Sequence, residues 1–279
     1  MDYKVVSRIN INKDRCRKVG AFLYDPEVDG LYLDMPWWFP VQIGVTHGLS
    51  YCEVTPMFLK LPFLFKGWVQ EYILLREIEL LKLAQEGKIL MHGSCYVKDG
   101  EGVLVVGFSN SGKTYQTYKS VAEGARLVSE EYTILEEGQF SDKGKWAAYP
   151  YNKVMKTCFS AKTMKVANIK MNWKERVWLF FSTIRAKLFP FMYEAVIWKT
   201  IPVEGNGAYI NKIVYGSTGR EVTDWKEFAI LCENEFPFMS SEFLQAYALA
   251  TGYDLLGIQE KQRGLIKEFV ESVNSHNGK

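Results

Sequence analysis

The sequence predicts an α/β fold, a mixed sheet dressed by helices and preceded by a small β-rich region, and three observations carry that reading. Val69, Tyr72, Ile73, Ile78, Leu80, Leu81 and Ala84 recur at helical spacing with charges between them, and Gly87 supplies a stop. Val103, Leu104, Val105 and Val106 form a short, fully apolar run of the kind buried on both faces of a sheet. That run enters a glycine-bounded loop followed by a helix-compatible stretch ending at Gly124.

Taken in order, residues 4–6, 20–24 and 30–33 read as short strands, separated by the turn signals Asp25-Pro26 and Asp29-Gly30. Trp37, Trp38, Phe39 and Pro40 form an aromatic knot. A helix is expected over 68–86 and one strand over 88–97, with Asp99-Gly100 closing a hairpin onto the apolar run at 103–106. A helix over 113–123 and one strand over 126–136 follow. Residues 197–203 and 208–215 read as a strand pair around Glu204-Gly205-Asn206-Gly207. Helices over 240–251, with Ser240 as N-cap, and 258–273 complete the chain. The organisation expected is a β-rich N-terminal region, 1–66, and a second domain, 67–279, carrying an aromatic insertion at about 165–198.

The 279 residues, 48% hydrophobic and 24% charged, suit a packed globular chain rather than a disordered one. A net charge of only +2 argues against a dedicated nucleic-acid binder. Cys16, Cys52, Cys95, Cys158 and Cys232 are widely spaced and form no zinc motif, so they read as reduced thiols. The N-terminus has no apolar signal region, and no uncharged apolar run is long enough to span a bilayer. A cytoplasmic protein is the expectation, with a peripheral membrane contact left open.

Gly107-Phe108-Ser109-Asn110-Ser111-Gly112-Lys113-Thr114 fits the phosphate-loop pattern G-x-x-x-x-G-K-[ST], the Walker A motif, in full. The glycines let successive N–H groups turn inward toward phosphate oxygens, and the helix that follows adds its positive N-terminal dipole. Lys113 is placed to reach the outer phosphates and the Thr114 hydroxyl to ligate Mg²⁺; Tyr115 completes the nucleotide-binding segment. A chance match in a chain of this length is expected at ~1%, and the preceding strand and following helix are the confirming context. ATP with magnesium is therefore the expected ligand.

Phosphoryl transfer needs carboxylates near the acceptor and the metal. Glu130 and Glu131 end a strand-like run soon after the loop helix, and a strand parallel to the one before the loop would carry them beside it. His92 stands on the strand preceding the hairpin, where a structural role competes with a catalytic one.

Together these pieces resemble the HPr kinase/phosphorylase family. His92-Gly93, the strand at 102–106, the loop ending Gly112-Lys113-Thr114 and the run Arg126-Leu127-Val128-Ser129-Glu130-Glu131 match its order and spacing. Ile201-Pro202-Val203-Glu204-Gly205-Asn206, followed by Ile210, is a weaker echo of a later family loop. The resemblance implies a divergent short member with the phosphoenolpyruvate carboxykinase-type fold. It implies Glu130 as general base, Glu131 as a magnesium ligand and His92 at the edge of the nucleotide site. The family's acidic pair is Asp-Asp, and its later loop carries an Arg for which Arg220 or Lys212 are the candidates here.

The activity expected is transfer of the γ-phosphate to a hydroxyl of a peptide, protein or small molecule. A nucleotide-binding regulator or NTPase without acceptor is the alternative, and a kinase for lipid-linked acceptors the second. Trp173, Val177, Trp178, Phe180, Phe181, Ile184, Phe189, Phe191 and Tyr193 crowd around Lys174, Arg176, Arg185 and Lys187. This insertion reads as a buried helix pair, a lid or an interfacial segment, with 57–65 as a second aromatic stretch. A homo-oligomer is also expected.

Overall fold

The computed structural model describes residues 4–35, 40–47, 51–57, 79–108, 111–138, 145–151, 154–188, 196–203, 206–232 and 242–277. The aromatic knot at 37–39, most of the helix expected over 68–86, Ser109, Asn110, Ser240 and the stretches 58–65 and 189–195 lie outside them. The protein is a mixed α/β chain that divides into two compact units, residues 1–86 with 237–262, and residues 87–236 with 263–279.

The first unit is a six-stranded sheet of β1 (Lys4–Val5), β2 (Arg17–Val19), β3 (Phe22–Asp25), β4 (Gly30–Met35), β5 (Val41–Thr46) and β6 (Tyr51–Val54), ordered β1-β6-β5-β4-β3-β2. All pairs are antiparallel except β1 with β6. Leu31, Val41, Ile43, Val45 and Val54 bury one core with Leu81 from the helical residues 79–85 and Leu244 and Tyr247 from α5 (Glu242–Thr251). The helical period around Leu80, Leu81 and Ala84 is thus the period of a buried face.

The second unit carries β7 (Ile89–His92), β8 (Ser94–Lys98), β9 (Glu101–Val106), β10 (Arg126–Ser129), β11 (Tyr132–Glu137), β12 (Trp146–Pro150) and β15 (Ala208–Tyr215), ordered β10-β8-β9-β15-β12-β11-β7, with β16 (Arg220–Glu221) added to β15. β9 and β15 are parallel and the other pairs antiparallel. β13 (Val154–Ser160) and β14 (Val196–Pro202) form a separate antiparallel pair. Helices α1 (Lys113–Ala122), α2 (Ala161–Val166), α3 (Trp173–Leu188), α4 (Trp225–Cys232) and α6 (Leu255–Asn277) complete the described set.

Side chains of β9 alternate between two cores, as strand geometry requires. Leu104 and Val106 meet Phe228 of α4 and Phe269 and Val270 of α6. Val103 and Val105 pack with Tyr96, Ala125 and Val214. The β8–β9 hairpin turns at Asp99 and Gly100, both at positive φ (53° and 86°), the pair a primed two-residue turn needs.

Three expectations about strands are corrected. The single strand over 88–97 is two, β7 and β8, broken at Gly93. A Cβ at Gly93 would come within 2.8 Å of the Val105 carbonyl oxygen, so the chain passes too close to β9 for a side chain. The strand over 126–136 is also two, β10 and β11, broken at Glu130-Glu131. In each case one to two residues carry the chain between strands near opposite ends of the order, β7 to β8 and β10 to β11, so the sheet is strongly curled. The supposed 197–203/208–215 pair does not form: β14 pairs with β13, and β15 inserts between β9 and β12.

Candidate functional site

The strand registers bring one set of ends together. Ser94 at the start of β8 pairs with Val105 near the end of β9, and Ser129 at the end of β10 pairs with Cys95. Tyr215 at the end of β15 pairs with Val106, and Tyr132 at the start of β11 pairs with His92. β10 therefore runs in the same direction as β9, with β8 between them. The phosphate-pattern loop, the acidic pair, His92 and the turn after Tyr215 share one edge of the sheet.

The loop enters from buried β9 and exits into α1. Gly112 is the N-cap, at φ 88°, and no side chain caps the helix. Only glycine takes that left-handed conformation without strain. No acidic residue occupies the first turn, so the amides and positive dipole end of a ten-residue helix face the loop. Gly107 stands at φ 138° against Tyr215, and a Cβ on Gly216 would lie 2.4 Å from the Ser111 carbonyl oxygen. The 3-10 turn Gly216–Thr218 is therefore packed directly under the loop. The Lys113 ammonium is buried and donates to the carbonyls of Gly107 (2.8 Å) and Phe108 (3.1 Å). Tyr115 points elsewhere, under the Lys162 ammonium at 4.6 Å.

The inner face of α1 is polar. Lys113, Thr117 and Ser120 are buried with Tyr118, and Thr117 shares a 2.5 Å hydroxyl bond with Ser94. A second chain of hydroxyls, Ser129 to Thr133 (2.5 Å) and Thr133 to the Gly93 carbonyl (2.8 Å), ties together the two strand breaks.

The acidic pair sits at the second break. The Tyr132 N–H donates to the Glu130 carbonyl at 2.7 Å, closing a three-residue γ-turn around Glu131, whose φ is 63°. That turn is strained for a residue with a side chain. It sends the two carboxyls to different places. Glu130 is 1% exposed and accepts a hydrogen bond from the Thr114 hydroxyl. Burial, reinforced by the Glu131 charge, pushes its carboxyl from the ordinary 4.5 up to about 8 against the opposing pull of Thr114 and Lys113. Glu131 keeps 26% of its side chain exposed and stands 3.5 Å from His92 Nε2, itself 17% exposed. The Tyr132 ring lies against the imidazole at 5.1 Å.

Of the predicted site residues, the structure thus gathers Gly107, Phe108, Ser111, Gly112, Lys113, Thr114, Glu130, Glu131 and His92. It does not gather Asn206 of the later loop. β15 runs parallel to β9 and Ile210, in its first half, pairs with Gly102 near the start of β9, so Asn206 lies toward the far end of the strands, where its carbonyl accepts from Arg126 at 3.3 Å. Arg220 is paired with Glu227, and Lys212 with Glu221 at 3.1 Å.

Sequence reasoning passed over Ser94, Thr117, Tyr118 and Gly216. The available signal was Gly216-Ser217-Thr218-Gly219 after a strand, and Thr117 and Tyr118 one turn beyond Thr114. Among the described residues, Ser111 Oγ, Tyr118 OH and Glu130 Oε2 are buried without a hydrogen-bond partner. Burial, then the charges of Glu130 and Glu131, push the Tyr118 hydroxyl above its ordinary range.

Could magnesium and a nucleotide be held here? Thr114 and the unpartnered Glu130 oxygen are hard oxygen donors at the loop, and a magnesium ion on nucleotide phosphates takes only one or two protein oxygens. No group of three or more His, Cys, Asp or Glu side chains suited to a metal occurs among the described residues, so an all-protein metal cage has no support. The residues present fit a metal shared with a phosphate ligand. No protein-family model matches the chain, and no curated protein matches it significantly.

Proposed function

We propose that this protein binds Mg-ATP at the loop of residues 107–114 and transfers the γ-phosphate to a hydroxyl acceptor, with the HPr kinase/phosphorylase-like, phosphoenolpyruvate carboxykinase-type fold that its motifs resemble. The observation that carries the reading is the pair of unpartnered buried oxygens at the loop, Ser111 Oγ beside an uncapped helix N-terminus and Glu130 Oε2 on the carboxyl that accepts from Thr114. Buried polar atoms left unpaired are costly, and a bound ligand that completes them would offset that cost.

Lys113 exchanges its two loop carbonyls for phosphate oxygens as the triphosphate enters. Magnesium, when bound against Thr114 and Glu130, supplies charge neutralisation to the phosphates. A general base must touch the acceptor. Glu130 is sealed from solvent while Glu131 and His92 remain accessible, so Glu131, steadied by His92, takes the acceptor proton and Glu130 belongs to the metal side. This exchanges the two roles implied by the family resemblance. As the acceptor oxygen bonds to the γ-phosphorus its proton passes to the Glu131 carboxylate. The bond from that phosphorus to the β–γ bridging oxygen breaks, and ADP leaves.

The test is transfer of labelled γ-phosphate from Mg-ATP into peptide, lipid and soluble-metabolite fractions of a cell extract. Wild type, Lys113→Ala, Glu131→Gln and Glu130→Gln are compared. Product made by wild type and lost with Lys113→Ala and Glu131→Gln supports a kinase, and the labelled fraction names the acceptor class. A second reading, a nucleotide-dependent switch or hydrolase, draws on the distance of the 206 loop from the site. Free phosphate as the sole labelled product in every extract would favour it.

A further inference from the structure

We infer that helix α3 lies in the surface plane of an anionic lipid membrane and docks the protein there. The helix is amphipathic in the reverse of the usual sense. At 100° per residue, Trp173, Val177, Phe180, Phe181 and Ile184 fall on one arc of its surface. All five are exposed, Trp173 at 70% and both phenylalanines at 62%. The opposite side holds Glu175 and Leu179, the less exposed positions. Glu175 is paired with Lys199 at 2.6 Å, and Leu179 packs against the cluster of Tyr118, Phe159 and Met164. The helix is therefore fixed by one side and presents its apolar side outward.

Charge identifies the occupant. Within α3 there are four basic residues and one acid, and the acid, Glu175, is on the attached side and already paired. By helical position Lys174 borders the apolar arc on one flank and Arg176 on the other. An apolar arc carrying Trp and Phe, bordered on both sides by Lys and Arg, is complementary to an interface of acyl chains below and negative headgroups beside. It is poorly matched to a second copy of itself, because a twofold contact sets each patch against an identical one and opposes cation to cation. No helix among the described residues is long and apolar enough to cross a membrane, so α3 would lie in the interface rather than span it.

The attachment through Leu179 adds a consequence. The cluster that anchors α3 contains Tyr118, on the helix that begins at the phosphate-pattern loop. Membrane docking would tether α1, and with it the loop that precedes it, to the lipid-bound helix. The docking inference stands on α3 alone, independent of the nucleotide reading.

Flotation of the full chain with vesicles tests it, using phosphatidylcholine alone and phosphatidylcholine mixed with phosphatidylglycerol. Binding is expected to the mixed vesicles, weakened by added salt. Lys174→Gln with Arg176→Gln should weaken it on the order of tenfold. Phe180→Glu with Phe181→Glu should abolish it while leaving the circular dichroism melt unchanged, since both side chains already face solvent. Absence of binding to mixed vesicles, or equal binding to both vesicle types, would overturn the proposal. So would a dimer in solution that Phe180→Glu with Phe181→Glu dissociates while vesicles are ignored, which would make α3 a contact between copies.

Discussion

Helices α1 and α3 belong to the same unit and break the inside–outside rule in opposite directions. α1 turns Lys113, Thr117 and Ser120 into the protein, whereas α3 turns Trp173, Phe180 and Phe181 out of it. The first arrangement incurs desolvation of polar groups and the second leaves hydrophobic stabilisation ungained. Folding alone selects neither. Each departure is a place where a rule of folding gives way: under the proposed function the first serves a charged ligand, and under the membrane inference the second serves an apolar surface.

The comparison can be broken or sharpened in five ways, beginning with the largest effect. Lys113→Ala removes the ammonium from the loop; nucleotide-dependent turnover should fall on the order of a thousandfold, with binding by titration calorimetry falling alongside. Retained turnover would take the ligand away from the α1 side of the comparison.

Glu130→Gln tests whether its burial costs stability. The folded carboxyl is raised to about 8 from 4.5, so between those values the folded state holds a proton the unfolded chain has released. Stability is therefore full below about pH 4.5, declines as pH rises through about 8, and is flat above. The loss is at most about 5 kcal/mol. Glu130→Gln should match wild type near pH 4 and exceed it above pH 8 in urea unfolding without ligand. Parallel profiles for the two proteins would refute the assignment.

Thr117→Val leaves the Ser94 hydroxyl buried without its 2.5 Å partner and should cost about 1–3 kcal/mol in the same assay. Glu131→Asn keeps a side chain that tolerates positive φ and should stabilise the fold by about 0.5–1 kcal/mol while phosphotransfer drops. Lost stability there would mean the γ-turn stores no strain. Phe180→Glu with Phe181→Glu should move stability by no more than about 0.5 kcal/mol per site, against about 2–5 kcal/mol for Leu104→Ala in the buried strand.

Much of the site was legible because its parts are local. The strand of 103–106, the loop glycines, Lys113, Thr114 and the helix after them form one continuous stretch whose conformation follows from residue type and spacing. The hairpin at Asp99-Gly100 was legible for the same reason. The breaks at Gly93 and Glu130-Glu131 were not, because both flanks of each break are good strand sequence. The reason for Gly93 is the closeness of the Val105 carbonyl, which no nearby residue reveals. The burial of Thr117 was not legible either, since its partner, Ser94, lies on β8, some twenty residues away.

What the sequence determined by itself was a mixed α/β chain with a phosphate-type loop between a buried strand and a helix, two carboxylates following it, and an aromatic, basic helix later on. Tertiary structure decided that the two carboxylates separate, one sealed beside Thr114 and one accessible beside His92. It also decided that residues 244–250 pack with the first sheet and that α3 shows its apolar side to solvent. The physical reason is common to all three. Backbone propensity and side-chain period act within a few residues, whereas burial is set by whichever distant segment arrives to cover a face.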